Sequence, residues 1–239
     1  MKKTLPIIFT IVALLCTYNY VRGSDHNKTL NKQPESHFLQ TMSPPTLPNN
    51  WERIYIKNTG SFDLPPSMEI KKGKYRTFTD KTKNIEGFDV KEITAQQKGF
   101  NLSSGTSIEW YARVMLETKY DSPGEFEELT FNIFKYTKAY VNELNSKFND
   151  QITQDLRAKS QKISEWHPVK LERVNGMSCI HVHYISQPNN SPQVLVHKYI
   201  FQNYNRVHTF TLLYPVSDTN HWEKDFKTIL ESIRINTNR

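Results

Sequence analysis

One hairpin constrains the fold of this chain more than any other feature of its sequence. Two runs of alternating apolar and polar residues, 169–174 and 177–184, are separated only by Asn175 and Gly176. An Asn-Gly pair between such runs is a strong hairpin signal, because a type I′ turn needs two positive φ angles. The two-residue turn also fixes the strand register. The predicted opposite pairs are Val174 and Met177, Glu172 and Cys179, Leu171 and Ile180, Lys170 and His181, and Val169 and Val182.

Two further strands follow the hairpin closely enough to be antiparallel neighbours. We expect them at 194–202 and 207–214, after the connections 187–192 and 203–206. The four strands form a predicted meander whose side chains sort by a period of two. The apolar face is predicted to carry Val169, Leu171, Ile180, Val182 and Tyr184. The second face, predicted to be only partly covered, carries Cys179, His181, His183, His197, Glu172, Lys170, Tyr199 and Phe201.

Shorter strand signals precede the hairpin. We expect strands at 51–56 and 60–66, and the prolines that end the second make it short or place it at a sheet edge. Pieces of further strand are predicted at 88–94 and 99–102. The run 108–116 alternates more clearly and predicts one buried face. That face comprises Ile108, Trp110, Ala112, Val114 and Leu116.

Two segments have a helical period instead. Ser122 and Glu125 form a capping box, with Pro123 at the first helical position. The apolar stripe of this long helix comprises Phe126, Leu129, Ile133, Tyr136, Tyr140, Leu144 and Phe148. It continues weakly through Ile152 and Leu156, so the helix either runs on or breaks near 149–150.

A second helix closes the chain and is predicted to be capped by Ser217 and Asp218. Its apolar face comprises Trp222, Phe226, Ile229, Leu230 and Ile233. Both stripes must pack against the sheet. The predicted fold class is therefore α+β, with a central antiparallel β-sheet and a long helix and a C-terminal helix packed on it.

Composition divides the chain into three parts. Residues 1–23 have the basic start, short apolar core and small residues of a secretory signal, with cleavage predicted after Gly23. Residues 24–50 are polar and proline-containing, which predicts a flexible linker. Residues 51–239 then form a single domain. We expect a secreted or periplasmic protein that meets a membrane only through this N-terminal signal or an uncleaved anchor.

The two cysteines bear on location and reactivity. Cys16 raises the alternative of an envelope lipoprotein anchored by lipidation, although the bulky Leu15 precedes it. Removal of the signal would leave Cys179 alone, a strand residue that we expect to be packed rather than reactive. Cleavage would also lower the net charge from +7 to 28 minus 24, or +4. Nucleic-acid binding is therefore not expected.

Few residues in the sequence are candidates for binding or catalysis. The basic run 71–84 is either a patch for an anionic partner or a solvated loop, and we favour the loop. Nucleophile-elbow, phosphate-loop and zinc-protease motifs are absent from the sequence, and the 8 glycines leave little to build phosphate-binding loops.

The one constellation that predicts a reaction is formed by His181, His183 and His197. A symmetric loop at 187–192 would place His197 opposite His183 and offer three imidazoles to zinc. A one-residue slip would send His197 to the other face, and Lys170 opposite His181 would repel a cation. We therefore assign no catalytic, cofactor-binding or metal-binding residue and keep a metal-dependent enzyme as the alternative.

Three short motifs in this order of elements resemble the PsbP-like family. They are residues 60–65 (Gly-Ser-Phe-Asp-Leu-Pro), the strand after Gly176, and residues 210–215 before the last helix. The family includes the extrinsic photosystem II protein and bacterial envelope relatives such as the DcrB lipoproteins. The resemblance spans residues 51–235 and implies a central antiparallel sheet with helices on its faces. It also implies a non-enzymatic envelope protein but assigns no binding residue, because the matching positions are turn and core positions.

These observations predict an exported, non-catalytic binding or accessory protein without a cofactor. Its partner is expected to be a protein or small-molecule ligand of the cell envelope, bound at the sheet face or at the basic loop. Fold alone does not identify that ligand.

Overall fold

The computed structural model describes residues 47–56, 59–70, 83–85, 88–99, 111–121, 138–188, 192–203 and 205–235. Within these ranges eleven strands and two α-helices form an α+β fold, as predicted. The early strands are β1 (Glu52–Ile56), β2 (Gly60–Leu64), β3 (Met68–Ile70), β4 (Lys83–Ile85), β5 (Phe88–Gln97) and β6 (Arg113–Tyr120). The later strands are β7 (Gln161–Val174), β8 (Met177–Pro188), β9 (Val194–Asn203), β10 (Arg206–Pro215) and β11 (Arg234–Ile235).

The strands form two antiparallel sheets. The main sheet has eight strands in the order β3-β5-β6-β10-β9-β8-β7, and β4 also pairs with β5. The strands β7 to β10 are consecutive neighbours, which confirms the predicted meander. A small sheet has the order β1-β2-β11, so that the short strand β2 lies at its centre rather than at an edge. The C-terminal β11 thus closes the sheet that the first strands begin.

The helices cover opposite faces of the main sheet. Helix α1 (Lys138–Ala158) continues without a break past residues 149–150, and its buried residues are Leu144, Phe148, Ile152 and Leu156. They pack with Val169, Ile180, Val182 and Tyr184, on the face predicted to be apolar. Helix α2 (Thr219–Ser232) packs on the other face, where its Trp222, Phe226 and Ile229 join Phe210, Leu212, Tyr214 and Phe62.

The turn at 175–176 has the predicted geometry. Asn175 has φ 52° and Gly176 has φ 79°, as a type I′ turn requires. Four of the five predicted opposite pairs are present, from Val174 with Met177 to Lys170 with His181. The pairing of Val169 with Val182 is wrong. The ladder is irregular between His167 and Lys170 and resumes with His167 opposite His183.

Other strand and cap predictions need correction. The strand predicted at 108–116 is placed later, at Arg113–Tyr120, although its Ala112, Val114 and Leu116 are buried as expected. The end of the predicted basic loop, from Lys83, belongs to β4. Asp218 occupies the N-cap of α2 after a 3₁₀ turn (Val216–Asp218), but its side chain makes no capping hydrogen bond.

Several predicted features fall outside the described residues. They are the signal and Cys16, most of the linker, most of the basic loop, residues 100–102 and 108–110, and the capping box at 122–125. Among the helices that the structure describes, none is long and apolar enough to cross a membrane.

Candidate functional site

The three histidines singled out in the sequence lie together on the main sheet. His181 and His183 are on β8 and His197 is on β9, where the register places His183 directly opposite His197. The connection between β8 and β9 therefore keeps the predicted register. Cys179 and Tyr199 lie two residues from His181 and His197, so each shares a strand face with its histidine. Both belong to the core that packs against α2, and the histidines therefore lie on that face of the sheet.

A fourth histidine, His167, joins them and was missed from the sequence. It lies opposite His183 because β7 bulges between His167 and Lys170. Pro168 lies inside this irregularity and cannot donate to a strand ladder. A proline within a strand marks a bulge or an edge, so Pro168 is the sequence signal that would have predicted the altered register.

Helix α1 holds the bulge through one side chain. The Oδ1 atom of Asn145 accepts the backbone N–H of Val169 at 3.0 Å and the indole N–H of Trp166 at 3.0 Å. The bulge leaves the Val169 amide without a ladder partner, and Asn145 supplies the acceptor that a partly buried amide needs. Asn145 is thus a positioning residue for His167.

The four imidazoles, His167, His181, His183 and His197, form what we term the histidine cluster. His183 stacks between His167 and His197, with ring centroids 4.0 and 4.1 Å away and interplanar angles of 12° and 17°. His181 stacks on Tyr199 at 4.3 Å, and its Nε2 lies 3.0 Å from Nδ1 of His197. The rings therefore contact and hydrogen-bond one another across three strands.

This stacking differs from the geometry of a metal site. An imidazole binds a metal through a nitrogen lone pair that lies in the ring plane. Rings that are nearly parallel and about 4 Å apart cannot direct such lone pairs to one point about 2 Å from each nitrogen. In the part of the chain that the structure describes, no three His, Cys, Asp or Glu side chains are placed to hold a metal ion.

Burial keeps three imidazoles of the cluster, those of His181, His183 and His197, neutral at pH 7. Burial is the main cause for His181, and repulsion from His183, Lys170 and His167 adds to it, so that the pKa falls to about 4. Burial is also the main cause for His183, whose pKa falls to about 4, and for His197, whose pKa falls to about 3. A neutral imidazole has one donor and one acceptor nitrogen, which suits a chain of ring-to-ring contacts.

Two carboxyl groups lie against the cluster, since Oε1 of Glu165 is 3.2 Å from Nε2 of His167 and Glu172 approaches His181. Oε1 of Glu172 is 2.9 Å from Nδ1 of His181, which is ion-pair distance. Glu172 and His181 are poorly aligned, however, and Nδ1 makes no hydrogen bond of good geometry within the described residues. Burial raises the pKa of Glu172 and lowers that of His181, so both changes weaken the charges of the pair. We regard the contact as a weak polar one.

Cys179 also lies on this face and is inert. It is fully buried and unbonded to another cysteine. Burial, with the nearby Glu172 carboxylate, raises the pKa of its thiol to about 12. The nucleophilic thiolate is therefore absent at pH 7, and Cys179 is packed as the sequence predicted.

A cleft lies at the opposite end of the main sheet, between that sheet and the small one. We term this space of about 560 Å³ the inter-sheet cleft. Its lining residues are Glu52, Arg53, Ile54, Tyr55, Leu64, Met68, Glu69, Ile70, Ile93 and Lys98. Its volume is that of small-molecule binding sites, which range from about 300 to 1,000 Å³. It depends on how two sheets meet, which local sequence patterns do not specify.

Polar groups fix the walls of this cleft. Arg53 donates from Nε to Asp63 Oδ1 at 2.7 Å and from Nη2 to Asp63 Oδ2 at 2.9 Å. The backbone N–H of Asp63 donates to Ser232 Oγ at 2.8 Å, which connects the wall to α2. Glu69 accepts the N–H of Gly99 at 3.1 Å. Tyr55 is 76% exposed, so a large aromatic ring stands open to solvent beside the cleft.

Comparison with known proteins gives similarities of structure. No protein-family model matches the chain, and no curated protein matches it. The solution structure of cyanobacterial PsbP (CyanoP) from Synechocystis is similar over 82% of this chain and 99% of that chain, with a TM-score of 0.45 and 11% identity. A crystal structure from Bacteroides thetaiotaomicron is similar over 74% of this chain and 44% of that chain, with a TM-score of 0.39 and 10% identity. A PsbP is thus among the structures that the chain is similar to, as the sequence resemblance predicted.

Proposed function

We propose that this chain is an exported, non-catalytic binding or accessory protein of the cell envelope, and that the inter-sheet cleft is its ligand site. The cleft itself carries the proposal. Its floor is apolar, through Ile54, Leu64, Met68, Ile70 and Ile93, and charged side chains stand at its walls. Apolar walls with a few fixed polar groups are typical of ligand sites.

The chemistry of the histidine cluster supports a role without catalysis. A general base needs a nitrogen within reach of a substrate proton and a pKa near the working pH. The imidazoles of His181 and His197 instead face each other, and the pKa of each lies well below 7. The thiol of Cys179 is buried and protonated.

The export part of the proposal rests on the N-terminal sequence. We propose a secreted or periplasmic protein whose signal is cleaved after Gly23, with an anchor at Cys16 as the alternative. The mass of the N-terminal peptide of the exported protein separates the two. A chain beginning at Ser24 supports cleavage, and a lipidated chain beginning at Cys16 replaces it with the anchored form.

Ligand capture tests the cleft. The Ile70→Trp variant fills the cleft, and Ile163→Trp is its matched control, because Ile163 is also partly buried but lies on β7 at the other sheet edge. Each immobilised protein is incubated with an envelope extract, and retained molecules are quantified by mass spectrometry. We expect Ile70→Trp to lower the retained ligand at least about tenfold and Ile163→Trp to leave it unchanged. Equal retention by all three folded proteins would exclude the cleft.

A further inference from the structure

We propose that the ligand of the inter-sheet cleft is an extended polypeptide segment of another protein, which adds as a strand to the edge of β1. This inference rests on the proposed function and names its ligand class. The observation behind it is that two edge strands, β1 and β3, face the same cleft.

The lining residues show that the cleft follows strand edges rather than a sheet face. Four consecutive residues of β1, from Glu52 to Tyr55, line it, and so do all three residues of β3, from Met68 to Ile70. Successive side chains of a strand point to opposite faces. Residues from both faces of β1 and of β3 therefore border one space, as expected where a cleft runs along strand edges and the backbone itself is exposed.

Both strands have an open edge within the described residues. Among the residues that the structure describes, β1 pairs only with β2, and β3 pairs only with β5. An edge strand presents a row of N–H and C=O groups that have no ladder partner. Because the cleft follows these edges, a strand placed in it has backbone donors and acceptors beside it.

β1 also lacks two of the features that block natural edges, proline and lysine. Its sequence, Glu-Arg-Ile-Tyr-Ile, contains no proline and no lysine. The charge of its single basic residue, Arg53, is engaged by Asp63 on β2. Tyr55 lies 76% exposed, where the side chain of an added strand would cover it. An added strand would therefore hydrogen-bond to the backbone N–H and C=O groups along the edge of β1, which natural proteins otherwise shield from other chains.

The lining residues specify the chemistry of the added segment. Apolar side chains of the segment at alternate positions would meet the floor formed by Ile54, Leu64 and Ile93. The charge of Arg53 is balanced by Asp63. The other charged residues that line the cleft are the acidic Glu52 and Glu69 and the basic Lys98. The fitting ligand is an extended segment with alternate apolar residues and at least one basic residue. A strand of five residues, the length of β1, spans about 17 Å.

Selection of peptides and N-methyl scanning test this inference. A random octapeptide library is selected on the full-length exported protein, and the tightest peptide is resynthesised with one backbone amide methylated at a time. Only every second amide of an added strand points to its neighbour. We therefore expect methylation to weaken binding at least about tenfold at alternate positions and little at the others, by titration calorimetry. The Ile70→Trp variant should lose the peptide, and Ile163→Trp should keep it.

The outcomes separate this inference from the proposed function. Binding that Ile70→Trp abolishes but that shows no alternate response to methylation overturns strand addition and keeps the cleft as a binding site. Selected peptides that bind Ile70→Trp as well as the wild type overturn both. Recovery of no peptide, with a small molecule captured by the wild type alone, overturns strand addition only. A dimer of the chain itself that competes with the peptide would replace the partner by a second copy.

Discussion

The two ends of the main sheet have opposite surroundings, since stacked rings fill one end and an open cleft borders the other. At the β7–β9 end, the aromatic rings of the histidine cluster cover one another at centroid distances of 4.0 and 4.1 Å. At the β3 end, apolar side chains and the edges of β3 and of β1, which belongs to the small sheet, surround a space of about 560 Å³. Groups that satisfy one another leave little for a ligand, whereas an apolar floor beside unpaired backbone favours binding. The main sheet therefore holds its histidines at one end and borders the proposed binding cleft at the other.

The largest expected effect comes from removing a core side chain near the inter-sheet cleft. Phe62 is fully buried on β2 and meets Phe210 edge to face, with centroids 5.5 Å apart. We expect Phe62→Ala to lower the free energy of unfolding by about 3–5 kcal/mol and to abolish ligand binding at the cleft. Urea denaturation measures the first and calorimetry the second. Phe148→Ala on α1 is the control, with a similar loss of stability but unchanged binding by the folded protein.

The stability costs of alanine at two glycines, one in the small sheet and one in the hairpin, can be compared directly. Gly60 of β2 has φ 153°, and a Cβ there would collide with the backbone carbonyl of Arg234 on β11. Gly176 of the hairpin has φ 79°, but its Cβ would meet nothing within 4 Å. We expect Gly60→Ala to cost about 3 kcal/mol, from overpacking, and Gly176→Ala about 1–2 kcal/mol, from the left-handed backbone alone. Thermal denaturation of both variants measures the difference, and equal costs would contradict the close approach of β2 and β11.

Sequence patterns predicted much of this fold where the signal was local. The turn at Asn175 and Gly176, the stripe from Leu144 to Phe148 and the meander all follow from neighbouring residues. The same reasoning from neighbouring residues predicted that His183 and His197 lie opposite each other across one loop, and the strand register confirms it. Local patterns can predict these features because each depends on a turn or on one period of side-chain alternation.

Features that depend on distant parts of the chain were not predicted. The bulge beside His167 needs Asn145, which lies 24 residues before Val169. The cleft needs β11 to pair with β2 and so fix the small sheet against the main one. The zinc site kept as an alternative required the imidazole nitrogens to converge, and strand register, which places rings side by side, does not decide whether they stack or converge.

A smaller effect should separate the bulge from the rest of the histidine end. Asn145→Ala removes the acceptor for the Val169 amide and for the Trp166 indole. We expect a loss of about 1–3 kcal/mol, the cost of unsatisfied buried donors. Urea denaturation measures it. Asn149→Ala is the control, since the contact of Asn149 among the described residues is a hydroxyl of its own helix at 3.2 Å, and its loss should change stability by less than about 0.5 kcal/mol. Equal effects would show that the bulge does not need Asn145.

The smallest effect per residue is a dependence of stability on pH that belongs to the histidine end. Burial lowers the pKa of His181 to about 4 and of His197 to about 3, from an ordinary value of 6.5. Below pH 6.5 the unfolded chain therefore binds more protons than the folded one, so the free energy of unfolding falls as the pH falls. We expect a loss of about 1–2 kcal/mol per buried imidazole between pH 7 and pH 5, measured by urea denaturation.

Phenylalanine at these positions keeps a flat ring but cannot take a proton. The double variant His181→Phe, His197→Phe should therefore lose much of the decrease in stability between pH 7 and pH 5. A residual decrease is expected from His183, whose pKa burial lowers to about 4, and from His208, whose pKa burial lowers to about 3 outside the cluster. Peptide binding at the inter-sheet cleft should be the same in this variant as in the wild type at pH 7. A double variant with the full acid response would place the titrating groups elsewhere, and one with altered peptide affinity would show that the two ends of the sheet are coupled.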